Sequence, residues 1–577
     1  MPENIQQYQD RLHNLRKEIA KTGLDGFILP RTDEFQGEFL APYAQRLAWL
    51  TGFTGSAGVA VILPEKATVL SDGRYTLQLR QQVDTGAYDT GNSIETPPER
   101  WLEVHADAGM HIGYDPWLHT PRQLKTMRAV LEAKGIELHA LAQNPVDTIW
   151  SEKPERPQAM VRKFPDKIAG KTSLEKRELI CKQMKEEGAD ALILTACDSI
   201  CWLLNVRGGD VDYTPLVQSF LLMHADGRLD WFIDMEKVSD SVLKALGVGT
   251  VLYPYSMIDE VLPGLHGRTV WLDSTSSAAA FEDLLSTANI LDKKDPCAVP
   301  KSKKTAQEQA AIRDAHIHDG RAMVRFLAWL DEEAPKGELD ELSVEVQLES
   351  FRAEEMSYNG PSFPTICGFA ENGAIIHYRA TRQTNKKITG DGLLLIDSGG
   401  QYEWGTTDIT RTIAIGAPTQ EMKENYTRVL KGHIAVSMAR FPQGTTGAQI
   451  DTLARAPLWE VGLDYAHGTG HGVGCYLGVH EEAANISPRG QKALEPGMLL
   501  SNEPGYYKAG HYGIRIENLV LVKEDGFCED TNKPMLCFET VTYAPYEERL
   551  ILKEMLSAQE KKWLHDYNEK LRMYVHG

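Results

Sequence analysis

A chain of 577 residues is too long for one core and implies about three or four domains. Its 42% hydrophobic and 25% charged content is that of a globular protein, and a net charge of −20 argues against nucleic acid or an anionic membrane as the main partner. The start, MPENIQQYQDRLHNLRKEIA, is polar and carries no apolar signal segment, and no run approaches the roughly 18 apolar residues of a membrane span. Eight scattered cysteines without a C-x-x-C pair read as reduced, cytoplasmic thiols.

Two segments rich in proline and charge, Ser151 to Met160 and Asp295 to Thr305, divide the chain into 1–155, 156–300 and 301–577. The first two parts read as degenerate copies. RLHNLRKEIAKTGLDGFILPRTDEF is matched by KRELICKQMKEEGADALILTACDSI: an amphipathic helix, a Gly-led turn and a strand at Gly26 to Leu29 or Ala191 to Leu194. A Trp-containing segment follows in each, LAWLTGFTG and ICWLLNVRGG, and then strands that end at SDGRY and FIDMEK. Such alternation predicts α/β domains with mixed sheets. Neither copy holds a cluster of His, Cys and carboxylates, so neither is assigned chemistry of its own.

The third part opens with a capping box, Thr305 to Glu308, on a long helix with apolar Ile312, Met323, Phe326, Leu327 and Leu330. Pro335 and Gly337 end it, and a second helix spans about Leu339 to Met356. Strands are predicted at Phe363 to Cys367 and Ala374 to Tyr378, joined as a hairpin through Asn372-Gly373, with His377 in the second. Thr419 caps a helix to about Arg440. Another runs from Ala448 to about Val461, with a kink or early end at Pro457. The tail from Phe538 to Tyr574 reads as a strand and an amphipathic helix.

Between these lies the stretch that carries the chemistry, LLLIDSGGQYEWGTTDITRT. Leu393 to Ile396 reads as a buried strand that runs into Asp397, and Asp408 follows in a Thr-rich run. A carboxylate delivered by a buried strand needs a partner or a cation. YAHGTGHGVG adds His467 and His471, SNEPGYY adds Glu503, and YGIRIEN predicts a strand with Arg515 and Glu517 on one face and Ile514 and Ile516 on the other. Four carboxylates and one imidazole suit a hard or borderline divalent ion, Mn²⁺ above all, with Zn²⁺ and Co²⁺ also compatible. Five such ligands exceed the needs of one tetrahedral site, so two ions that share Asp408 and Glu517 are the economical arrangement.

Asp397, Asp408, His471, Glu503 and Glu517, with HGTGHGVG and NEPGYY around them, resemble the pita-bread metallopeptidases. Over essentially the whole chain the resemblance is to the long, three-domain, cytosolic type of Xaa-Pro aminopeptidase (aminopeptidase P). It implies two creatinase-N-like α/β domains ahead of a pita-bread catalytic domain with a carboxy-terminal extension. It assigns Asp397, Asp408 and Glu517 to one ion, and Asp408, His471, Glu503 and Glu517 to the other, with Glu503 also the general base. His377, His467 and His480 match positions that line the substrate cleft, and Arg74 in SDGRY one that reaches a bound peptide, from the neighbouring subunit of a homodimer. The implied activity is removal of the residue before a proline at position 2 of a peptide by a di-manganese centre. Prolidase shares the ligands but takes dipeptides. A metal-free binding protein or creatinase-like enzyme of the same fold is disfavoured by the intact ligand set, and methionine aminopeptidase lacks two preceding domains of this size.

Overall fold

The computed structural model describes residues 5–247 and 249–576. They form two compact units, one holding residues up to Phe164 and Lys171–Cys297, the other Pro165–Gly170 and residues from Ala298 onward.

The first unit contains two six-stranded sheets of the same design. In the first the strand order is Asp89–Asn92, Ala67–Ser71, Val59–Ile62, Gly26–Pro30, His111–Tyr114 and Glu137–Ala140. Gly26–Pro30 is antiparallel to Val59–Ile62 and parallel to His111–Tyr114. The helix Ile5–Lys21 lays Leu12, Leu15 and Ile19 on Phe27 and Leu29 of this sheet. Gly26 begins the strand because a Cβ there would stand 2.7 Å from the carbonyl oxygen of Ile62. The second sheet runs Thr250–Tyr253, Leu229–Phe232, Phe220–His224, Ala191–Leu194, Thr269–Leu272 and Asn289–Asp292. Its strand Ala191–Leu194 is again antiparallel to one neighbour and parallel to the other. The repeat seen in the sequence is therefore a repeat of sheet topology.

In the second unit Thr305 accepts a hydrogen bond from the Glu308 amide and caps the helix Ala306–Glu333. That helix buries Ile312, Met323, Phe326 and Leu330, and Gly337, at φ 72°, closes the short turn after it. Asp340 caps the following helix, Glu341–Ala353. Two sheets then build the site. A three-stranded sheet has Gly392–Ser398 between Ile366–Phe369 and Ile409–Ile415. A six-stranded sheet runs Arg440–Pro442, Lys533–Thr540, Asn518–Cys528, Leu499–Asn502, Gly470–Gly472 and Glu481–Ile486. The helices Gln420–Ser437 and Gly447–Trp459 pack beside them, and the second ends two residues after Pro457, which cannot donate the amide hydrogen bond of its turn. Among the described residues no helix is long and apolar enough to cross a membrane.

Four expectations are corrected. The linker Asp295 to Thr305 contains a short helix, Ala298–Ser302. The hairpin at Asn372-Gly373 is absent: Ala370–Ala374 is a 3-10 turn, and His377 lies in the turn after it rather than in a strand. The Asn372 amide is drawn to the carboxylate of Glu341 at 2.9 and 3.1 Å, which holds the chain curled. Arg515 and Glu517 do not share one strand, since Tyr512–Arg515 ends before Glu517 and Asn518–Cys528 begins after it. At Ile516 the chain leaves its pairing with Gly505–Lys508 and joins Leu499–Asn502. Finally, the first of these helices stops at Ser437, short of Arg440, which already pairs as a strand with Cys537.

Candidate metal centre

Asp397 lies within the central strand, opposite Thr410, and Asp408 stands one residue before the strand that carries Thr410. His471 is the middle residue of Gly470–Gly472, Glu503 follows Leu499–Asn502, and Glu517 fills the break between two strands. The ligand atoms of Asp408, His471 and Glu517 all fall within 4.8 Å of one another. His471 Nε2 is 3.4 Å from Asp408 Oδ2 and 3.5 Å from Glu503 Oε1. Its Nδ1 sits 2.9 Å from the Gly472 carbonyl, so a proton there is donated to the backbone and Nε2 is left facing the carboxylates.

Asp397 Oδ1, Asp408 Oδ1 and Glu517 Oε1 are buried without a hydrogen-bond partner. One such oxygen is costly, and three in one cluster describe a cradle for positive charge. The donor set, oxygen-rich with a single nitrogen, fits Mn²⁺, Zn²⁺ or Co²⁺. Without cations the cluster retains protons instead. Burial, aided by the charge of Asp408, raises the Asp397 carboxyl to about 6 against the pull of Arg515. Burial lifts Glu503 to about 7 and drives Glu517 well above the carboxylate range. Burial pulls the His471 imidazole down, but Asp408 and Glu503 outweigh it and lift the ring to about 9.

Around these groups is a layer whose mutual contacts the sequence reading did not give. Thr410 Oγ1 donates to Glu517 Oε2 at 2.8 Å. Arg515 donates from one amino group to Asp397 Oδ2 at 2.7 Å and from the other to the Tyr507 hydroxyl at 2.6 Å. That hydroxyl is 2.9 Å from His467 Nε2, while His467 Nδ1 is 2.8 Å from the Gly468 carbonyl. Asp397, Arg515, Tyr507 and His467 thus form one chain of contacts. The alternation in YGIRIEN was the only sequence signal for Arg515, and Tyr507 stood in NEPGYY without an assigned role. Arg411, fully buried, spreads its guanidinium over the carbonyls of Thr410, Glu517, Ala544 and Pro545, the amide oxygen of Asn518 and the Tyr567 hydroxyl. It ties the tail of the chain to the backbone of Glu517.

The remaining predicted residues are placed as follows. The ring of His480 stands perpendicular to that of His471 with centroids 4.3 Å apart, and His480 is exposed. His377 is half-buried; its neighbours Ile375 and Tyr378 pack with Ile366, Leu395 and Tyr507. Arg74 belongs to the first unit, where Asp72 engages its guanidinium at 2.7 and 2.9 Å. His433 is a satisfied core residue, bonded to the Asn502 carbonyl and Tyr546 hydroxyl, and burial depresses its pKa to about 3.

Comparison with known proteins identifies the family of the chain. The metallopeptidase family M24 pattern matches residues 310–524, and the C-terminal region of that family matches 534–576. Two creatinase/prolidase N-terminal domain patterns match 11–144 and 152–308. A probable Xaa-Pro aminopeptidase P of Neosartorya fischeri is 37% identical over 97% of this chain and 89% of its own length. Xaa-Pro aminopeptidase 1 of Dictyostelium discoideum is 36% identical over 97% and 92%. The crystal structure of X-prolyl aminopeptidase from Caenorhabditis elegans, described as a cytosolic enzyme with a di-nuclear active site, superposes with a TM-score of 0.92 at 30% identity. It covers 99% of this chain and 96% of that one. The chain therefore belongs to metallopeptidase family M24, with two creatinase/prolidase N-terminal domains ahead of the catalytic one.

Proposed function

We propose that the chain is a dinuclear-metal Xaa-Pro aminopeptidase, which hydrolyses the bond between an amino-terminal residue and a following proline. The observation that carries this is the convergence of Asp408, His471 and Glu517, with three orphaned carboxylate oxygens on Asp397, Asp408 and Glu517. Asp397, Asp408 and Glu517 would hold one ion and Asp408, His471, Glu503 and Glu517 the other, with Mn²⁺ the metal we favour. When bound, such ions supply Lewis acidity and a water acidic enough to ionise near neutral pH.

The chain's own groups do the rest. Glu503 takes the proton of the attacking water as its oxygen bonds to the scissile carbonyl carbon, and returns a proton to the proline nitrogen as the C–N bond breaks. That delivery matters because the nitrogen of an X-Pro bond carries no hydrogen. His480 and His377 line the cleft and donate to the carbonyl oxygen as negative charge develops there. His467 lines it too, its ring fixed by Tyr507 and the Gly468 carbonyl.

We further propose the division into 1–155, 156–300 and 301–577, a cytoplasmic homodimer, and Arg74 as a contact to longer peptides from the partner's first domain. The names of the full-length relatives favour this activity over prolidase. The test is hydrolysis of Arg-Pro-Pro against Gly-Pro by protein reloaded with Mn²⁺. Release of arginine from the tripeptide is expected; cleavage of the dipeptide alone would sink the proposal.

A further inference from the structure

Contrary to the expectation that the first two parts hold no cluster of His, Cys and carboxylates, a second convergence of metal-binding groups lies in the first unit, where strand pairing brings together residues that are apart in sequence. The strands His111–Tyr114 and Glu137–Ala140 are parallel, with His111 opposite Glu137 and Gly113 opposite His139. Side chains alternate along each strand, and Ile112, Tyr114 and Leu138 face one hydrophobic cluster. His111, Glu137 and His139 are therefore left together on the other face. Gly113 offers no side chain beside His139, and Leu24 and Leu141 fill the space that one would take. His111 Nδ1 and His139 Nε2 share a 2.7 Å hydrogen bond, which an ion held by both nitrogens would replace, and Glu137 Oε2 lies 3.5 Å from the first nitrogen and 3.4 Å from the second.

Each of the three is 40% exposed or more, so a cation reaches them without any movement of the fold. Two imidazoles and one carboxylate form a set unlike that of the M24 centre. Nitrogen-rich donors favour Zn²⁺, Ni²⁺ or Cu²⁺ over Mn²⁺, Mg²⁺ or Ca²⁺. Glu137–Ala140 is the edge strand of its sheet, so an ion held here would also pin that edge to its neighbour.

We propose that His111, Glu137 and His139 form a separate, open site for one borderline divalent transition-metal ion, with solvent completing its coordination. The ion binds through one nitrogen of each imidazole and one carboxylate oxygen, and stabilises the outer edge of the first sheet.

The test uses untagged, full-length protein already loaded with Mn²⁺ and titrated calorimetrically with Ni²⁺, with released Mn²⁺ counted by elemental analysis. One equivalent of Ni²⁺ should bind without loss of Mn²⁺. In His139→Ala or His111→Ala, affinity should fall by at least the roughly 10–100-fold that loss of a mere supporting partner costs. With Cu²⁺ as probe, the paramagnetic resonance of the wild type should show coupling to two imidazole nitrogens, and that of His139→Ala to one. Both imidazoles are half-buried at the sheet surface and outside the hydrophobic cluster, so the variants should stay folded, with a melting temperature near that of the wild type before nickel is added. Uptake only in exchange for Mn²⁺, unaltered uptake by the His111→Ala/His139→Ala double variant, or no uptake would each overturn the site.

Discussion

Arg515 and Asp397 share a 2.7 Å hydrogen bond, and this one contact joins a proposed metal ligand to the residues around it. Through Tyr507 the same guanidinium reaches His467, so a carboxylate and a histidine 70 positions apart are held in register by two side chains. Replacing Tyr507 by Phe removes the hydroxyl but keeps the ring. Both ions should remain, and kcat should fall by about 10–100-fold, the usual cost of losing an outer partner of a metal site. Metal content measured beside kcat and KM separates this from a simple loss of metal; a variant that sheds its ions would refute the assignment.

Asp408 and Glu517 are proposed as bridges, and Asp408 lies 3.4 Å from His471. Asp408→Asn should therefore deplete both ions together, where the wild type holds about two per chain. Elemental analysis that returns two full equivalents from the variant would end the bridging scheme.

His471 and His480 are in ring contact yet have different roles in the proposal. His471→Ala should lose metal and activity together. His480→Ala should keep both ions and its fold while kcat falls by on the order of 10²–10³, the effect of removing one oxyanion donor. Its KM should move far less, because the bond strengthens only in the transition state. If His480→Ala loses metal as readily as its neighbour, the two roles are wrongly divided.

The protons held by the metal-free cluster give a pH signature. Asp397, Glu503 and Glu517 have folded-state values raised by burial, and His471 is raised to about 9 by Asp408 and Glu503 despite burial. All four hold a proton more tightly in the folded, metal-free chain than in the unfolded one. Their contribution is full in acid and is lost as pH rises, through about 6 to 7 for Asp397 and Glu503 and about 9 for His471. Cations demand the deprotonated ligands, so the increase in melting temperature on adding Mn²⁺ should grow from pH 5 to pH 8. Melting curves of chelator-stripped and reloaded protein check this; an increment that shrinks with pH would contradict it.

The residues of the candidate cluster were legible because charge stands where an apolar or Gly-rich segment has little other use for it, as at Asp397 after Leu393 to Ile396 and at His471 between two glycines. The supporting layer was not. Arg411 gathers acceptors from Thr410 to Tyr567, and Arg515 finds Asp397 across more than a hundred positions; neither pairing leaves a local signal. The hairpin at Asn372-Gly373 was misread because a turn preference yielded to tertiary contact. Gly373 is pressed against Gly513, whose Cβ would stand 1.7 Å from the Gly373 carbonyl oxygen, and Asn372 is bound by Glu341. The doubled sheet of the first unit was legible because helix, turn and strand recur in the same order with similar residues.

Arg411 also sets an order of events for a newly made chain. Its acceptors at Thr410, Glu517 and Asn518 are made before those at Ala544, Pro545 and Tyr567. Until they arrive, a buried guanidinium lacks half of its acceptors, and the backbone behind Glu517 lacks its brace. The growing polypeptide can thus complete its first two sheets long before it can complete its cation cradle.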